Sequence, residues 1–416
     1  MGDVTAGFLP AKLRDDFAPL ALPDPPAFLD NACMTLKPRP VVDAVRAWYE
    51  ETPVCGGRGV YDLSHEVARR VEAGRAALSR LVGAPSPGSV VWTKNCTEAI
   101  NLVAHAFPFE KGDVVLTSDR EHNSNLVPWQ VAARRRGIRH EVLPSGPDGS
   151  FDLDALDRRL AAGDVRLVSV VHASNLDGAT LPVNRIARLA RAAGARTLVD
   201  GAQAAGHMRV DVEAMGADFY ALSVHKMYGP TGVGALVARE EALASLDAFM
   251  TGGDTVAGVT YEGHRLLDGA GRFEAGLQNY ASLVAVEPTV RYLESIGLEA
   301  IERHERAFTA RVARALRDIE GVATLGERDP AKRGGVTAFG VAGLDPDEVA
   351  ILLADRHGVL VRSGDHCAHA WFAARGVDGS VRASAGLYNG ADDADRLVAA
   401  VAEAAAKGAE VAKGRA

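Results

Sequence analysis

FYALSVHKMYGPTGVGALVAR (residues 219–239) and, just upstream, RTLVDGAQ (196–203) decide the fold class. Both carry short apolar runs without polar alternation, the pattern of strands covered on two faces. Working outward, similar runs stand at Ser89–Thr93, Asp113–Ser118, His140–Pro144 and Arg166–Ser174, and the quoted stretches supply Arg196–Ala202, Phe219–Lys226 and Gly232–Arg239. Helix-like segments separate them. In Val183–Ala193, for example, Val183, Ile186, Ala187, Ala190 and Ala193 fall on one face and Arg185, Arg188 and Arg191 on another. Strands alternating with helices imply crossover units, so the expected class is α/β with a mostly parallel seven-stranded sheet.

After about residue 280 the texture changes. A long helical stretch, Tyr280–Ile319, leads to strands near Val336–Val341, Val359–Arg362 and Val381–Ala385, flanked by helices Asp345–Arg356 and Asp392–Ala406. This predicts a smaller C-terminal α+β domain over 281–416, a large domain over 36–280, and an N-terminal segment, 1–35, joining the small domain or an interface. The Ala-, Lys- and Glu-rich tail Val398–Ala416 is expected to continue the last helix and then fray.

The 416 residues are 47% hydrophobic and 24% charged, which excludes disorder, fibre and coiled coil as a description of the whole. Lys and Arg number 46 against 54 Asp and Glu, a net charge of −8, so no bulk basic field exists to hold nucleic acid. The run Arg134–Arg136 reads as a solvated helix end. No span approaches the roughly 18 apolar residues of a membrane helix. The opening MGDVTAGFLPAKLRDDF carries acids where a signal peptide needs a basic region. Cytoplasm, without a membrane partner, is the expectation. Four cysteines stand at 33, 55, 96 and 367 with no CxxC pair, which argues for reduced thiols and against a zinc site.

Chemistry concentrates at the ends of the quoted strands. A lysine such as Lys226 beside small residues is expensive to bury unless paired or neutralised, and its best uses are as a base or an imine-forming amine. Asp200, at a neighbouring strand end, suits a protonated pyridine nitrogen. Together they form the pair that a pyridoxal 5'-phosphate enzyme requires. Gly229–Gly234 also fits a plain strand–turn–strand, and it lacks the GK[ST] ending of a nucleotide loop.

DGAQ (200–203), SVHKMYGPTGVGAL (223–236), FEAGLQN (273–279), VRSGDHCAH (361–369) and VRASAGLYN (381–389) resemble the cysteine desulfurases of the class V aminotransferase group. FLDNACMTLKP (28–38), CTEAINLVAH (96–105), EHNSNLVPWQ (121–130) and HASNLDG (172–178) continue the resemblance across nearly the whole chain. It is nearest to the branch with a short active-cysteine loop, which includes selenocysteine lyase-like enzymes. The resemblance implies an aspartate aminotransferase-like fold type I and a homodimer. It makes Lys226 the covalent holder of the cofactor, with Asp200 on the ring nitrogen, Gln203 and Asn175 on the phenolic oxygen and His122 on the ring face. Thr97, Ser223, His225 and the amide of Cys96 would hold the phosphate. Arg382, with Asn175 and Asn31, would bind the substrate, L-cysteine or L-selenocysteine.

By the same resemblance Cys367 takes the substrate sulfur as a persulfide, for transfer to a protein acceptor. The residues agree, since Gly364, Asp365 and His366 make a polar turn rather than a core strand. The acceptor stays open between an iron–sulfur scaffold, a tRNA or cofactor thiolation route and a secondary-metabolite pathway. Several positions depart from the pattern. Asp365 stands where a histidine is common, and its carboxylate should oppose a thiolate unless it pairs with a cation. Leu277 replaces a threonine that reaches the partner subunit's phosphate, Cys96 replaces a phosphate-side threonine, and Gly57 and Tyr61 replace histidines. Cys33, Cys55 and Cys96 read as packing or loop residues, with a place near the cofactor left open for one of them, and His65, His105, His140, His172 and His207 as satisfied by hydrogen bonds. His369 and Trp371 either shape the acceptor surface or anchor the loop. A lyase, epimerase or aminotransferase acting on another amino acid, and a silent scaffold, remain alternative readings.

Overall fold

Apolar runs covered on two sides need helices above and below, and the computed structural model has both layers. It describes residues 7–146, 150–327, 329 and 332–415; the first six residues of the N-terminal segment and Ala416 lie outside these. Strand β1, Ala27–Phe28, precedes the large sheet. That sheet comprises β2 (Val90–Thr93), β3 (Val114–Ser118), β4 (Arg139–Leu143), β5 (Val165–Val171), β6 (Arg196–Asp200), β7 (Phe219–Ser223) and β8 (Gly234–Ala238). Their spatial order is β2-β8-β7-β6-β5-β3-β4, and only the two pairings made by β8 are antiparallel.

Side chains alternate across this sheet although both faces are apolar. Leu198, Phe219 and Leu236 pack with Ile100 and Trp129 on one side. Val199, Tyr220 and Val237 pack with Leu78, Ile186 and Val290 on the other. The expected strand Phe219–Lys226 stops at Ser223, and Val224–Lys226 forms a 3-10 turn instead. Likewise the strand expected to reach Ser174 ends at Val171.

The expected helix Tyr280–Ile319 is three helices, Tyr280–Leu283, Val286–Ile296 and Leu298–Arg317. Gly297, at φ 91°, breaks the last two apart. A hairpin of β9 (Val256–Val259) and β10 (His264–Leu266), and β11 (Val322–Thr324), escaped the sequence reading. Strands β12 (Val336–Val341), β13 (Val359–Leu360), β14 (Arg362–Gly364) and β15 (Ser380–Ser384) follow. Strands β11, β12, β15 and β14 form a second, antiparallel sheet, while β13 pairs in parallel with β1. The final helix, Ala391–Arg415, runs on through the tail beyond Ala406. Among the described residues no helix is long and apolar enough to cross a membrane.

Parallel strands leave their loops at one sheet edge, and there the turn after β5 meets Glu327 and residues 332–336. Arg120 and Asp177 form an ion pair with side chains only 4% and 0% exposed. Asp177 also accepts from the amides of Ala179 (3.1 Å) and Glu327 (3.2 Å). Removing one member of a buried pair strands the other's charge, so Asp177→Ala should destabilise the fold by about 3–5 kcal/mol. Denaturant midpoints measure this; a loss under about 1 kcal/mol would mean the pair is as weak as a surface one.

Candidate active site

The carboxyl ends of β3, β5, β6 and β7 surround a cavity of about 380 Å³, within the ~300–1,000 Å³ usual for small-molecule sites. It is lined by Cys96, Thr97, His122, Asn175, Asp200, Gln203, Ser223, His225, Lys226, Cys367 and Arg382. All of these were expected from the sequence.

Asn31 is the exception, and its expected substrate role is corrected. It is 1% exposed and does not line the cavity. Its amide nitrogen lies 2.7 Å from the Ser384 carbonyl, 3.1 Å from Asn389 Oδ1 and 3.2 Å from the Phe28 carbonyl, and its oxygen accepts the Tyr388 hydroxyl. With its polar atoms so engaged, Asn31 ties the N-terminal segment to the second sheet.

Asp200 ends β6 at the cavity floor. Its Oδ1 accepts from the Ala202 amide (3.0 Å) and the Cys96 thiol (3.2 Å). The next residue must be glycine, because a Cβ at Gly201 would stand 2.1 Å from the Tyr220 ring. Lys226 enters from the 3-10 turn that ends β7. Burial lowers its pKa from the ordinary lysine value, with Asp200 acting in opposition, which favours a neutral, nucleophilic amine. Two residues on, Tyr228 adopts φ 62°, a strained value for a bulky side chain. Its hydroxyl accepts from the Leu387 amide (2.9 Å) and donates to Glu305 (3.2 Å), and its own amide donates to Thr35 Oγ1 (2.8 Å). These contacts fix the turn that aims Lys226.

The helix Cys96–Ala106 begins at the cavity wall, capped by Asn95, whose side chain accepts from the Glu98 amide (3.0 Å). The Cys96 amide donates to Ser223 Oγ (2.9 Å), and Thr97 Oγ1 lies 2.8 Å from Ser124 Oγ. Hydroxyls gathered at a helix N-terminus suit a phosphate. The Cys96 thiol turns to Asp200 instead, so that departure from the family pattern leaves the amide in place.

Burial, then the charge of Lys226, pushes His122 down to about 4, so its ring is uncharged at neutral pH. Gln203 Nε2 donates to the Ala32 carbonyl (2.7 Å). Asn175 Nδ2 donates to the His366 carbonyl (2.6 Å), while Asn175 Oδ1 and Arg382 Nε are buried without a partner among the described residues. Arg382 is held by the Asn175 carbonyl (3.0 Å) and Asp30 (3.3 Å). Orphaned polar atoms beside a lysine, an aspartate and a helix N-terminus fit a polar, phosphorylated ligand.

Cys367 is exposed on a turn where both His366 (φ 49°) and Cys367 (φ 56°) take left-handed backbone. The Asn123 amide donates to the Cys367 carbonyl (2.7 Å), and Asn123 Nδ2 lies 2.9 Å from His369 Nδ1. Asp365 lies 3.6 Å from His369 Nε2, a cation whenever that ring is protonated. Trp371 is buried under the Arg375 guanidinium. His369 and Trp371 therefore anchor the loop. Gly57 and Tyr61 do not line the cavity, whereas His140, His172 and His207 each have a hydrogen-bond partner.

Cys33, Arg362, Ser124 and His366 also line the cavity; the sequence suggested Arg362 and His366 only as neighbours of the Cys367 thiol and gave Ser124 no role. Lys37 is not among the lining residues, and its amine donates to the carbonyls of Thr35 (2.5 Å) and His225 (2.7 Å). Burial lowers Lys37 to about 7 from an ordinary 10.5. Between those values the unfolded chain carries a proton that the native chain lacks, so stability rises with pH. Wild type should therefore gain more stability than Lys37→Met between pH about 7 and about 10. Urea midpoints of both proteins test this, and parallel pH profiles would contradict it.

Comparison with known proteins places this geometry. Residues 27–397 match the family model for aminotransferase class-V. The chain is 38% identical over 396 residues to a protein of Xylella fastidiosa (strain 9a5c) named probable cysteine desulfurase, covering 94% of each chain. A protein of Halobacterium salinarum with the same name is 40% identical over 380 residues, covering 91% of each. The apo structure of cysteine desulfurase from Thermococcus onnurineus NA1 superposes with a TM-score of 0.91 at 35% identity, covering 96% of this chain and 98% of that one. The chain belongs to the class-V aminotransferase family, among its cysteine desulfurases.

Proposed function

We infer that this cysteine desulfurase takes sulfur from L-cysteine onto Cys367, with pyridoxal 5'-phosphate held on Lys226. One observation carries the reading. A single cavity holds an amine, a carboxylate, a guanidinium and an exposed thiol, supplied by Lys226, Asp200, Arg382 and Cys367. The Asp200 carboxylate would face the ring nitrogen, the neutral His122 the ring face, and Gln203 and Asn175 the phenolic oxygen. Thr97, Ser223, His225 and the Cys96 helix terminus would hold the phosphate. When bound, the cofactor supplies a sink for electrons released at the substrate α-carbon.

The chain's own residues do the rest. Arg382 grips the substrate carboxylate, its plane already set by Asp30 and the Asn175 carbonyl. The Lys226 amine takes and returns the α-proton. The Cys367 thiolate attacks the substrate sulfur, so an S–S bond forms as the C–S bond breaks, and protonation of the carbon completes L-alanine. Cysteine and one protein thiol thus become alanine and one persulfide.

We take a second copy of this chain and a protein sulfur acceptor as the working partners, and residues 36–280 and 281–416 as the two domains. The exposed apolar Leu277, Val259 and Tyr261 support a subunit contact. Product analysis with L-cysteine tests the reading: alanine with protein-bound sulfur upholds it. A keto acid, or an inverted α-carbon with no bound sulfur, assigns the cavity to another amino-acid reaction.

A further inference from the structure

The mechanism above leaves one exposed thiol of the cavity unused. Cys33 lines the same cavity as Cys367, and both thiols are exposed. They stand on separate, well-fixed turns. The amides of Cys33 (3.2 Å) and Met34 (3.4 Å) donate to the Asp30 carbonyl, while the Cys367 carbonyl is held by Asn123.

Asp30 ties the first turn to the cations of the second sheet. Its carboxylate pairs with Arg362 (2.7 Å) and Arg382 (3.3 Å), both of which line the cavity. The Asp30 hydrogen bonds hold the Arg362 guanidinium above its ordinary value, and the thiolates of Cys33 and Cys367 both add to that effect. Arg362 therefore lies in one cavity with both sulfurs. Exchange at sulfur needs a thiolate that attacks and a thiolate that leaves, and a guanidinium beside such a site is the cation that suits both.

We propose that Cys33 is a second sulfur-accepting thiol, which takes the outer sulfur of the Cys367 persulfide and so frees Cys367 for another turnover. This rests on the reading of Cys367 as the first acceptor. In the step, the Cys33 thiolate attacks the outer sulfur. An S–S bond forms at Cys33 as the S–S bond at Cys367 breaks, and the electron pair leaves on the Cys367 thiolate. The proton shed by Cys33 is regained there. The exchange is redox-neutral and needs no further reagent.

The test mixes cofactor-loaded wild-type protein with one equivalent of L-cysteine, quenches at successive times with an alkylating reagent, and maps the extra sulfur by peptide mass spectrometry. Sulfur is expected first on Cys367 and then on Cys33. Cys367→Ala should lose the Cys33 label, and Cys33→Ser should keep the sulfur on Cys367. Three results overturn the proposal alone: Cys33 staying bare beside a loaded Cys367, a Cys33–Cys367 disulfide with expelled sulfide, or Cys33 loading in Cys367→Ala. If neither cysteine gains sulfur although alanine forms, the assignment of Cys367 falls with it. The wild-type map depends on no variant folding.

Discussion

Lys226→Ala is expected to lower desulfuration by about 10⁴-fold, the upper end of what one positioned acid–base group contributes. The size follows from two tasks on one amine: holding the cofactor and moving the α-proton. Burial lowers the pKa of this amine while Asp200 opposes that shift, so one environment keeps the group available for both tasks. Borohydride reduction of loaded wild type should fix the cofactor to the peptide containing Lys226, and in the variant it should fix none. A variant retaining a tenth of the activity would remove Lys226 from the chemistry. Circular dichroism guards against trivial unfolding, since the turn keeps its Tyr228 contacts without the amine.

Cys367→Ser should abolish protein-bound sulfur and cut alanine formation from L-cysteine by at least about 10²-fold. A hydroxyl fills nearly the same space but is a poor nucleophile towards sulfur at neutral pH. The turn itself should survive. Its shape comes from left-handed backbone at 366 and 367, and its anchors are the Asn123 amide, His369 and Trp371. Cofactor fixation on Lys226 should stay at the wild-type level. Equal loss of fixation and turnover would instead assign Cys367 a structural part in the cofactor site.

Much of this was legible because buried parallel strands write themselves as apolar runs. All seven strands of the large sheet lie within a few residues of where those runs fall. The error at Phe219–Lys226 is instructive, since an apolar valine continues the run while the backbone already turns at Val224 to present Lys226. The β9–β10 hairpin escaped because its apolar residues, Val256 to Val259, form a short run broken by Gly258 and are mostly exposed, and β10 is largely polar. The long helix was overextended because apolar periodicity continues across Gly297, whose φ of 91° ends the hydrogen-bonded series.

For the site, the family motifs brought together nearly all of the lining. They failed at Asn31, whose fate depends on Ser384 and Asn389, more than 350 residues away. The place of Cys33 in the cavity was hidden for the same reason: it arises from how the N-terminal turn docks. Asp30 joins that turn to Arg362 and Arg382, and local sequence pattern carries no trace of such a contact.

Alanine and protein-bound sulfane sulfur, counted together in the first turnover of the loaded protein, address the central claim most directly. The two should appear in equal amounts, with the sulfur found on Cys367 at the earliest quench. Alanine or sulfide accumulating while Cys367 remains unmodified at every time would contradict the account.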